Sequence, residues 1–173
     1  MKAAHTIGGK NMDSLQFRKT LGHFATGVTV ITTKSEGGFI GLTANAFSSL
    51  SLDPPLILVC IDKKAGSVHA FKKEHPFTVN ILQENQEEDC WRFAKKSEDK
   101  FKGASYSLSD DGVPILTGNL ATIECSVDDL LEGGDHYIVT GRVKSAAFDE
   151  QKKPLLFFRG KIGHLSEAVE IKQ

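Results

Sequence analysis

The 173-residue sequence has few of the residue types that build metal centres, disulfide-linked domains or membrane spans. Its three cysteines are an odd number and form no Cys-x-x-Cys pair, so neither a disulfide framework nor a zinc site is indicated. No stretch approaches the roughly 20 apolar residues that a membrane-spanning helix needs. The first residues also lack the apolar stretch of a secretory signal. We therefore expect a cytoplasmic protein with reduced thiols and no metal site.

The sequence also lacks an excess of charge of either sign. Lysine and arginine number 21, aspartate and glutamate 22, and the formal net charge is −1. This balance argues against a nucleic-acid partner and against a polybasic contact with a membrane. Hydrophobic residues make up 40% of the chain and charged residues 25%, as in globular domains. We predict one domain over residues 12–166, between a loose N-terminal tail at 1–11 and a C-terminal tail at 167–173.

Three helices are predicted. Asp13 and Gln16 have the spacing of a capping box at the start of the first helix, and Gly27 is a natural stop after it. A short helix is expected from about 66 to 73, and a longer one within 84–102, where the charged residues form the solvated face. The apolar positions expected to face inward are Phe17, Leu21, Phe24 and Ala25 in the first helix and Cys90, Phe93, Ala94, Ser97 and Phe101 in the third.

Most of the remaining chain has the patterns of β-strands. Gly37 and Gly38 predict a turn between the first two strands, and the strand at 56–61 is apolar on both faces, which indicates a central position. An antiparallel barrel with peripheral helices fits this order of elements better than a doubly wound parallel sheet. The predicted strands are 28–33, 39–44, 56–61, 77–82, 120–128, 137–147 and 155–159.

The standard catalytic motifs are absent from the sequence. No G-x-G-x-x-G follows a strand, and there is no phosphate-binding G-x-x-x-x-G-K-[ST], no H-E-x-x-H and no G-x-S-x-G. The six histidines show no ligand spacing. The scarcity of acid–base candidates argues against hydrolysis and leaves room for chemistry that a cofactor supplies.

Segment 41–52, GLTANAFSSLSL, contains twelve small, hydroxyl, amide or apolar residues and no charge. Small side chains let a ligand approach the main chain, whose N–H groups can bind the carbonyls of a planar heterocycle. Ser48, Ser49 and Ser51 would add hydroxyl donors for a phosphate or a ribityl chain. The alternative is a plain polar loop before Pro54 and Pro55.

Two further segments are candidate binding elements. In 61–67, IDKKAGS, two lysines and a serine precede a predicted helix and would form an anion site; the alternative is an ordinary turn with solvated lysines. In 133–136, GGDH, Asp135 would orient His136 towards a ligand at the mouth of a barrel. The alternative is that His136 is an ordinary polar residue of a turn and contacts no ligand.

The chain from about residue 14 to 165 resembles the short-chain flavin reductase family, which includes the reductase components of two-component flavin-dependent monooxygenases. The residues that carry the resemblance are FATGVTVIT at 24–32, GLTANAFSSLSLDPPLILVCI at 41–61, VNIL at 79–82, GDH at 134–136 and PLLFFRGK at 154–161. The resemblance implies a mainly β fold, the FMN-binding split barrel, which is antiparallel and Greek-key-like with peripheral helices.

The resemblance also implies an oxidoreductase that transfers hydride from NADH or NADPH to FMN or FAD. Because hydride passes directly from nicotinamide C4 to flavin N5, no protein nucleophile or general base is needed. His136 would lie near the nicotinamide, and the family is typically homodimeric, so we expect a homodimer and a partner monooxygenase. The residues implied to bind the flavin are Thr43, Ala44, Asn45 and Ala46 at the isoalloxazine and Ser49, Ser51, Lys64 and Ser67 at the ribityl-phosphate end.

A second interpretation stays open at this point. The same fold would serve an electron-transfer flavoprotein that binds FMN tightly and exchanges electrons with protein partners. Two positions depart from the family pattern: Ile162 stands where an aromatic residue is frequent, and Arg159 where a small residue is frequent. Either could change nicotinamide stacking or flavin preference.

Overall fold

A computed structural model describes residues 13–97 and 99–166, so the tails predicted at 1–11 and 167–173 lie outside the described residues. The described chain is mainly β, as predicted. In chain order its elements are α1 (Ser14–Leu21), β1 (Thr26–Gly27), β2 (Thr29–Ser35), β3 (Gly38–Ala44), β4 (Phe47–Leu52), β5 (Pro55–Asp62), a 3₁₀ turn (Val68–Ala70), β6 (Pro76–Ile81), α2 (Glu87–Ala94), β7 (Tyr106–Leu108), β8 (Pro114–Leu116), β9 (Ala121–Gly133), β10 (His136–Phe148), β11 (Leu156–Phe158) and β12 (Lys161–Gly163).

Seven strands form one antiparallel sheet in the order β3-β2-β6-β9-β10-β5-β4. The two edge strands, β3 and β4, are consecutive in the chain, and only Asn45 and Ala46 separate them. The sheet therefore curls so that its two edge strands follow each other in the chain, and a backbone hydrogen bond of 2.9 Å from Cys60 N of β5 to Ala46 O holds the turn between them against β5. This is the expected barrel, and two small sheets, β1-β11-β12 and β7-β8, lie outside it.

The core has two parts because β2 is buried on both of its faces. Ile31 belongs to a cluster that contains residues of β5, β6, β9 and β10, including Val59 and Phe77. Its neighbour Val30 belongs to a second cluster with residues of α2, such as Phe93. Alternate residues of β2 thus point into the barrel interior and into the core beneath α2.

The first helix begins where predicted but ends at Leu21, with Gly22 as its C-cap. Gly27 is therefore not its stop and belongs to β1, and Phe24 and Ala25 lie beyond the helix. Its packing also differs from the prediction. Asp13 caps α1 through a 3.0 Å bond from Leu15 N, yet no residue of α1 is buried. Phe24 is 77% exposed, and Phe17, Leu21 and Ala25 are exposed too. A 3.6-residue period shows that a helix has an apolar face, and it does not show that the same chain covers that face. Within the described residues, no helix is long and apolar enough to span a membrane.

The other helices are shorter than predicted. The region 66–73 contains only the 3₁₀ turn Val68–Ala70, and α2 ends at Ala94, so Ser97 and Phe101 lie beyond it. Phe101 is nevertheless buried, because its ring packs edge-on against Phe93 with centroids 5.0 Å apart.

Two strand predictions also need correction. Segment 41–52 is the end of β3 and the whole of β4 with a two-residue turn between them, so the polar loop considered for it is wrong. The strand predicted at 56–61 is β5, which lies inside the sheet but next to the edge strand β4 rather than at the centre. Its residues alternate in burial, so only one of its faces is fully covered.

Candidate functional site

A cleft of about 1340 Å³ runs along β3. One wall is the end of α2 with the residues that follow it, and another is the chain after β5. The cleft brings together seven of the nine residues predicted for the site, which are Thr43, Ala44, Asn45, Ala46, Lys64, Ser67 and His136. Three segments that are far apart in the sequence thus meet in one cavity.

The remaining two predicted residues lie outside the lining of this cleft. Ser49 and Ser51 are on the edge strand β4, where they pair with Ile57 and Leu56 of β5, and neither lines the cleft. Ser48, considered with them, is exposed on the same strand and donates to the carbonyl of Ser49 at 3.0 Å.

The wall formed by α2 is held against β3 by close contacts at Gly41 and Thr43. A Cβ atom at Gly41 would lie 2.4 Å from Cδ1 of Phe93, so this position needs a residue without a side chain. The Thr43 hydroxyl donates to the carbonyl of Cys90 at 2.6 Å. The proton of that hydroxyl is therefore used to hold α2 against β3 and is not available to a ligand.

The chain after β5 forms a tight turn around Asp62. The Asp62 side chain accepts from Lys64 N at 2.8 Å, and the Asp62 carbonyl accepts from Ala65 N at 2.9 Å. These two backbone N–H groups are therefore used inside the turn. The Lys64 ammonium and the Ser67 hydroxyl are side-chain groups that could bind an anion here.

His136 is the first residue of β10 and pairs with Asp62 in the sheet register. Its Nδ1 lies 2.7 Å from Oδ1 of Asp135, as the GGDH segment predicted. This bond with His136 is the main reason that the pKa of Asp135 is below its usual value. An ionised Asp135 accepts a hydrogen bond, so in the neutral ring Nδ1 carries the proton and Nε2 is an acceptor for a ligand.

Lys63, the other lysine of the 61–67 segment, connects the two binding segments. Its ammonium forms an ion pair with Glu132 and lies 4.9 Å from the centroid of the Tyr137 ring. Its backbone N–H donates to the carbonyl of Asp135 at 3.0 Å. The bond to Glu132 is the main cause that raises the pKa of Lys63. These contacts fix the turn that carries Lys64 against the turn that carries His136.

The described lining of the cleft is basic, although the chain as a whole is not. Six lysines line it, with two carboxylates, Glu36 and Asp62. The walls near Asn45 are made of small residues, and a Cβ added at Gly66 would meet nothing within 4 Å. Small walls beside positive charge suit a planar ring system that carries a phosphate, so the residues present fit a flavin nucleotide. The lysines are Lys34, Lys64, Lys72, Lys95, Lys96 and Lys100.

All three cysteines, which lie among the described residues, are free. Burial raises the pKa of Cys90 to about 11 and that of Cys125 to about 12. Cys60 is only partly buried and lines the cleft, a location that the sequence pattern did not reveal. Among residues 13–97 and 99–166, no group of histidine, cysteine and acidic side chains could hold a metal ion.

Comparison with known proteins agrees with this geometry. The sequence model of the protein family described as the flavin reductase like domain matches residues 21–166. The flavin-dependent monooxygenase reductase subunit HsaB of Rhodococcus jostii (strain RHA1) is 43% identical over 89% of this chain and 79% of its own. FMN reductase (NADH) SmoA of Agrobacterium fabrum is 38% identical over 92% of this chain and 89% of its own.

A solved structure gives the same result at the level of the fold. The NADH:FAD oxidoreductase SgcE6 of Streptomyces globisporus C-1027, in complex with NAD and FAD fragments, is 34% identical with a TM-score of 0.90. The match covers 96% of this chain and 100% of the SgcE6 chain. The predictions of the split-barrel fold, of an oxidoreductase, and of flavin and nicotinamide cofactors are therefore confirmed at the level of the family. The chain belongs to the flavin reductase like domain family.

Proposed function

We propose that this enzyme transfers hydride from NADH or NADPH to FMN or FAD and releases the reduced flavin to a partner monooxygenase. The observation that carries the proposal is one cleft that joins a small-walled ring site, a cationic turn and an oriented histidine. The relatives support the partner, because HsaB is named as the reductase subunit of a flavin-dependent monooxygenase.

The bound cofactors supply the redox chemistry: the C4–H bond of the dihydronicotinamide breaks with its electron pair, the flavin N5–H bond forms, and two electrons pass to the flavin. The protein must bind both ring systems in contact and keep them aligned. In the proposal, the main chain at 43–46 binds the isoalloxazine edge. Fixed N–H donors there would also stabilise the charge that develops on a reduced ring.

Lys64 and Ser67 are proposed to hold the flavin phosphate by charge-assisted hydrogen bonds. His136 is proposed to position the nicotinamide, because its Nε2 can accept a hydrogen bond from a carboxamide N–H₂ group while Asp135 holds Nδ1. Ser49 and Ser51 do not line the cleft of this chain, so their contact with flavin stays a prediction.

A direct test mixes NADH with the protein and FMN in the absence of oxygen and follows the flavin absorbance. Hydride transfer predicts that one flavin is bleached for each NADH oxidised, and that oxygen then restores the absorbance. NADH that stays unoxidised while FMN is bound would contradict the proposed reaction. Added monooxygenase should withdraw the reduced flavin before oxygen does.

We also propose that the protein is a homodimer in the cytoplasm. The apolar side chains of α1 and the loop after it support the dimer, because Phe17, Leu21 and Phe24 are exposed in the single chain. A second subunit would bury this surface. Light scattering after gel filtration should give twice the mass of the 18.9 kDa chain. A monomer at all concentrations would contradict the dimer.

A further inference from the structure

The cleft continues beyond the residues proposed to bind flavin. On the side of α2 it is lined by Lys95, Lys96 and Lys100 and by the aromatic ring of Phe39. We refer to these four residues as the basic arm. The sequence analysis gave the three lysines no role, and the flavin site described above does not use them.

Lys100 fixes the position of the basic arm. Its Nζ donates to the carbonyls of Phe93 at 2.8 Å and Gly41 at 3.1 Å, so it joins α2 to β3. Its partial burial lowers the pKa of the ammonium group. A partly desolvated ammonium bound only to neutral carbonyls lacks a counter-charge, and an anionic ligand would supply one.

The charges around the basic arm favour an anion. Among the described residues, none of its three ammonium groups forms an ion pair with a carboxylate. The nearby Asp99 carboxylate already accepts from the backbone N–H groups of Phe101 and Lys102. Glu36 is the carboxylate that shares this end of the cleft lining. Lysines just after the C-terminus of α2 also interact favourably with the helix dipole. This interaction is an alternative reason for their position, and it involves no ligand in the cleft.

Phe39 supplies a surface for an aromatic base. Its ring is 37% exposed and lines the cleft. Edge-on contacts with Phe101 at 5.6 Å and Tyr106 at 5.7 Å between centroids hold it in place. A ring that is fixed from the sides and open to a cleft can stack with a purine, as aromatic residues do in nucleotide sites.

Phe39 and the Lys100 contact at Gly41 lie earlier on β3 than the main chain at 43–46 that is proposed to bind the flavin ring. The turn that carries Lys64 lies beside the His136 turn, because Lys63 N donates to the carbonyl of Asp135 at 3.0 Å. Ala46, beside Cys60, marks the same end of the cleft. Gly41 and Phe39 lie three and five residues before Ala44, at the end of β3, or about 10 and 17 Å away at the usual rise of a strand.

The size of the cleft agrees with two ligands. Its volume of about 1340 Å³ exceeds the roughly 300–1,000 Å³ of most pockets for a single small molecule. FMN has one phosphate group, which Lys64 and Ser67 would already bind. We infer that the basic arm binds the phosphate groups of an adenine dinucleotide, with its adenine on Phe39; this inference rests on the proposed function. The nicotinamide donor and FAD share this chemistry.

The test uses Lys95→Gln/Lys96→Gln, which removes two exposed charges and leaves the bonds of Lys100 intact. Lys73→Gln/Lys153→Gln removes two exposed lysines outside the cleft lining and is the matched control. Titration calorimetry would give Kd values for FMN and FAD with the protein alone, and for NAD⁺ and NADP⁺ with the FMN-loaded protein.

We expect the Kd of at least one dinucleotide to rise about fivefold or more, while the Kd of FMN changes by less than about twofold. A rise for NAD⁺ or NADP⁺ assigns the arm to the hydride donor, and a rise confined to FAD assigns it to the adenylate half of the flavin. Phe39→Leu should weaken the same dinucleotide.

Two results would overturn the inference. One is that the Lys95→Gln/Lys96→Gln variant binds every dinucleotide as tightly as the control variant does. The lysines would then serve only the helix dipole of α2. The other is an equal loss of FMN affinity, which would mean that the lysines act on the flavin phosphate. Neither result touches the proposed function, which fails only if the native protein does not oxidise NADH or NADPH in the presence of flavin.

Discussion

The side chains of Asp135 and His136, adjacent in the sequence, share a 2.7 Å contact between Oδ1 and Nδ1 at the mouth of the cleft. The turn before them makes this possible, because Gly134 adopts a φ of 71°, which few other residues tolerate. Asp135 is exposed and ionised, and its bond leaves Nε2 of His136 for a ligand. The turn therefore presents one oriented nitrogen.

If His136 positions the nicotinamide, His136→Ala should lower kcat/KM for NADH by about tenfold or more, at the scale of one lost hydrogen bond. The Kd of FMN should stay unchanged, because the flavin contacts are on other elements. Steady-state kinetics and a fluorescence titration with FMN check both statements. His69→Ala, an exposed histidine in the cleft lining, is the control. Unchanged NADH kinetics would contradict the assigned role.

If Lys64 binds the flavin phosphate, Lys64→Ala should weaken FMN binding by about 1–3 kcal/mol. Riboflavin has no phosphate, so its affinity should be the same in the native and variant proteins. Lys73→Ala, an exposed lysine outside the cleft lining, controls for a general loss of positive charge. An equal loss of riboflavin affinity would show that Lys64 acts on the ring or on the fold.

The thiols give an independent view of the flavin site. Cys90 and Cys125 have pKa values raised to about 11 and 12 by burial, so both remain protonated and shielded at neutral pH. Cys60 is more accessible and lines the cleft, so a maleimide should label it first. Mass spectrometry of the labelled peptides should show that saturating FMN slows this reaction. Labelling of Cys60 at the same rate with and without FMN would place the flavin elsewhere.

The contact between Gly41 and Phe93 predicts a stability effect. Gly41→Ala would place a Cβ atom 2.4 Å from the Phe93 ring, which lies in a buried cluster and cannot move freely. We expect a loss of about 1–3 kcal/mol in the free energy of unfolding, as for other overpacked cores. Gly27→Ala is the control, because a Cβ atom there meets nothing within 4 Å. Equal denaturant midpoints for the two variants would contradict the close packing.

Local patterns in the sequence were enough to predict most strands and the family. The β2–β3 hairpin follows from the β-branched run at 28–33 and the turn residues Gly37 and Gly38, and its register confirms the turn. The GGDH turn also lies where it was predicted, between β9 and β10. Such features depend on neighbours in the chain, which a single sequence displays.

Features that depend on distant contacts could not be predicted in this way. Phe101 is buried without belonging to a helix, because the chain after α2 folds back onto Phe93. The three lysines of the basic arm line the cleft because α2 packs against β3, and Lys100 contributes to that packing through its bond to the carbonyl of Gly41. The family resemblance assigns Ser49 to the flavin; in this chain the residue lies on the edge strand β4 outside the cleft lining, and a local pattern could not show that position.

The central claim is that flavin is a substrate which leaves the protein after reduction. The most direct measurement is the steady-state rate of NADH oxidation by extensively dialysed protein as FMN is added from zero. A diffusible-flavin reductase predicts a negligible rate without FMN that rises and saturates as FMN is added. A rate already maximal without added flavin would contradict the claim, because it would identify a tightly bound flavin that passes electrons to another protein.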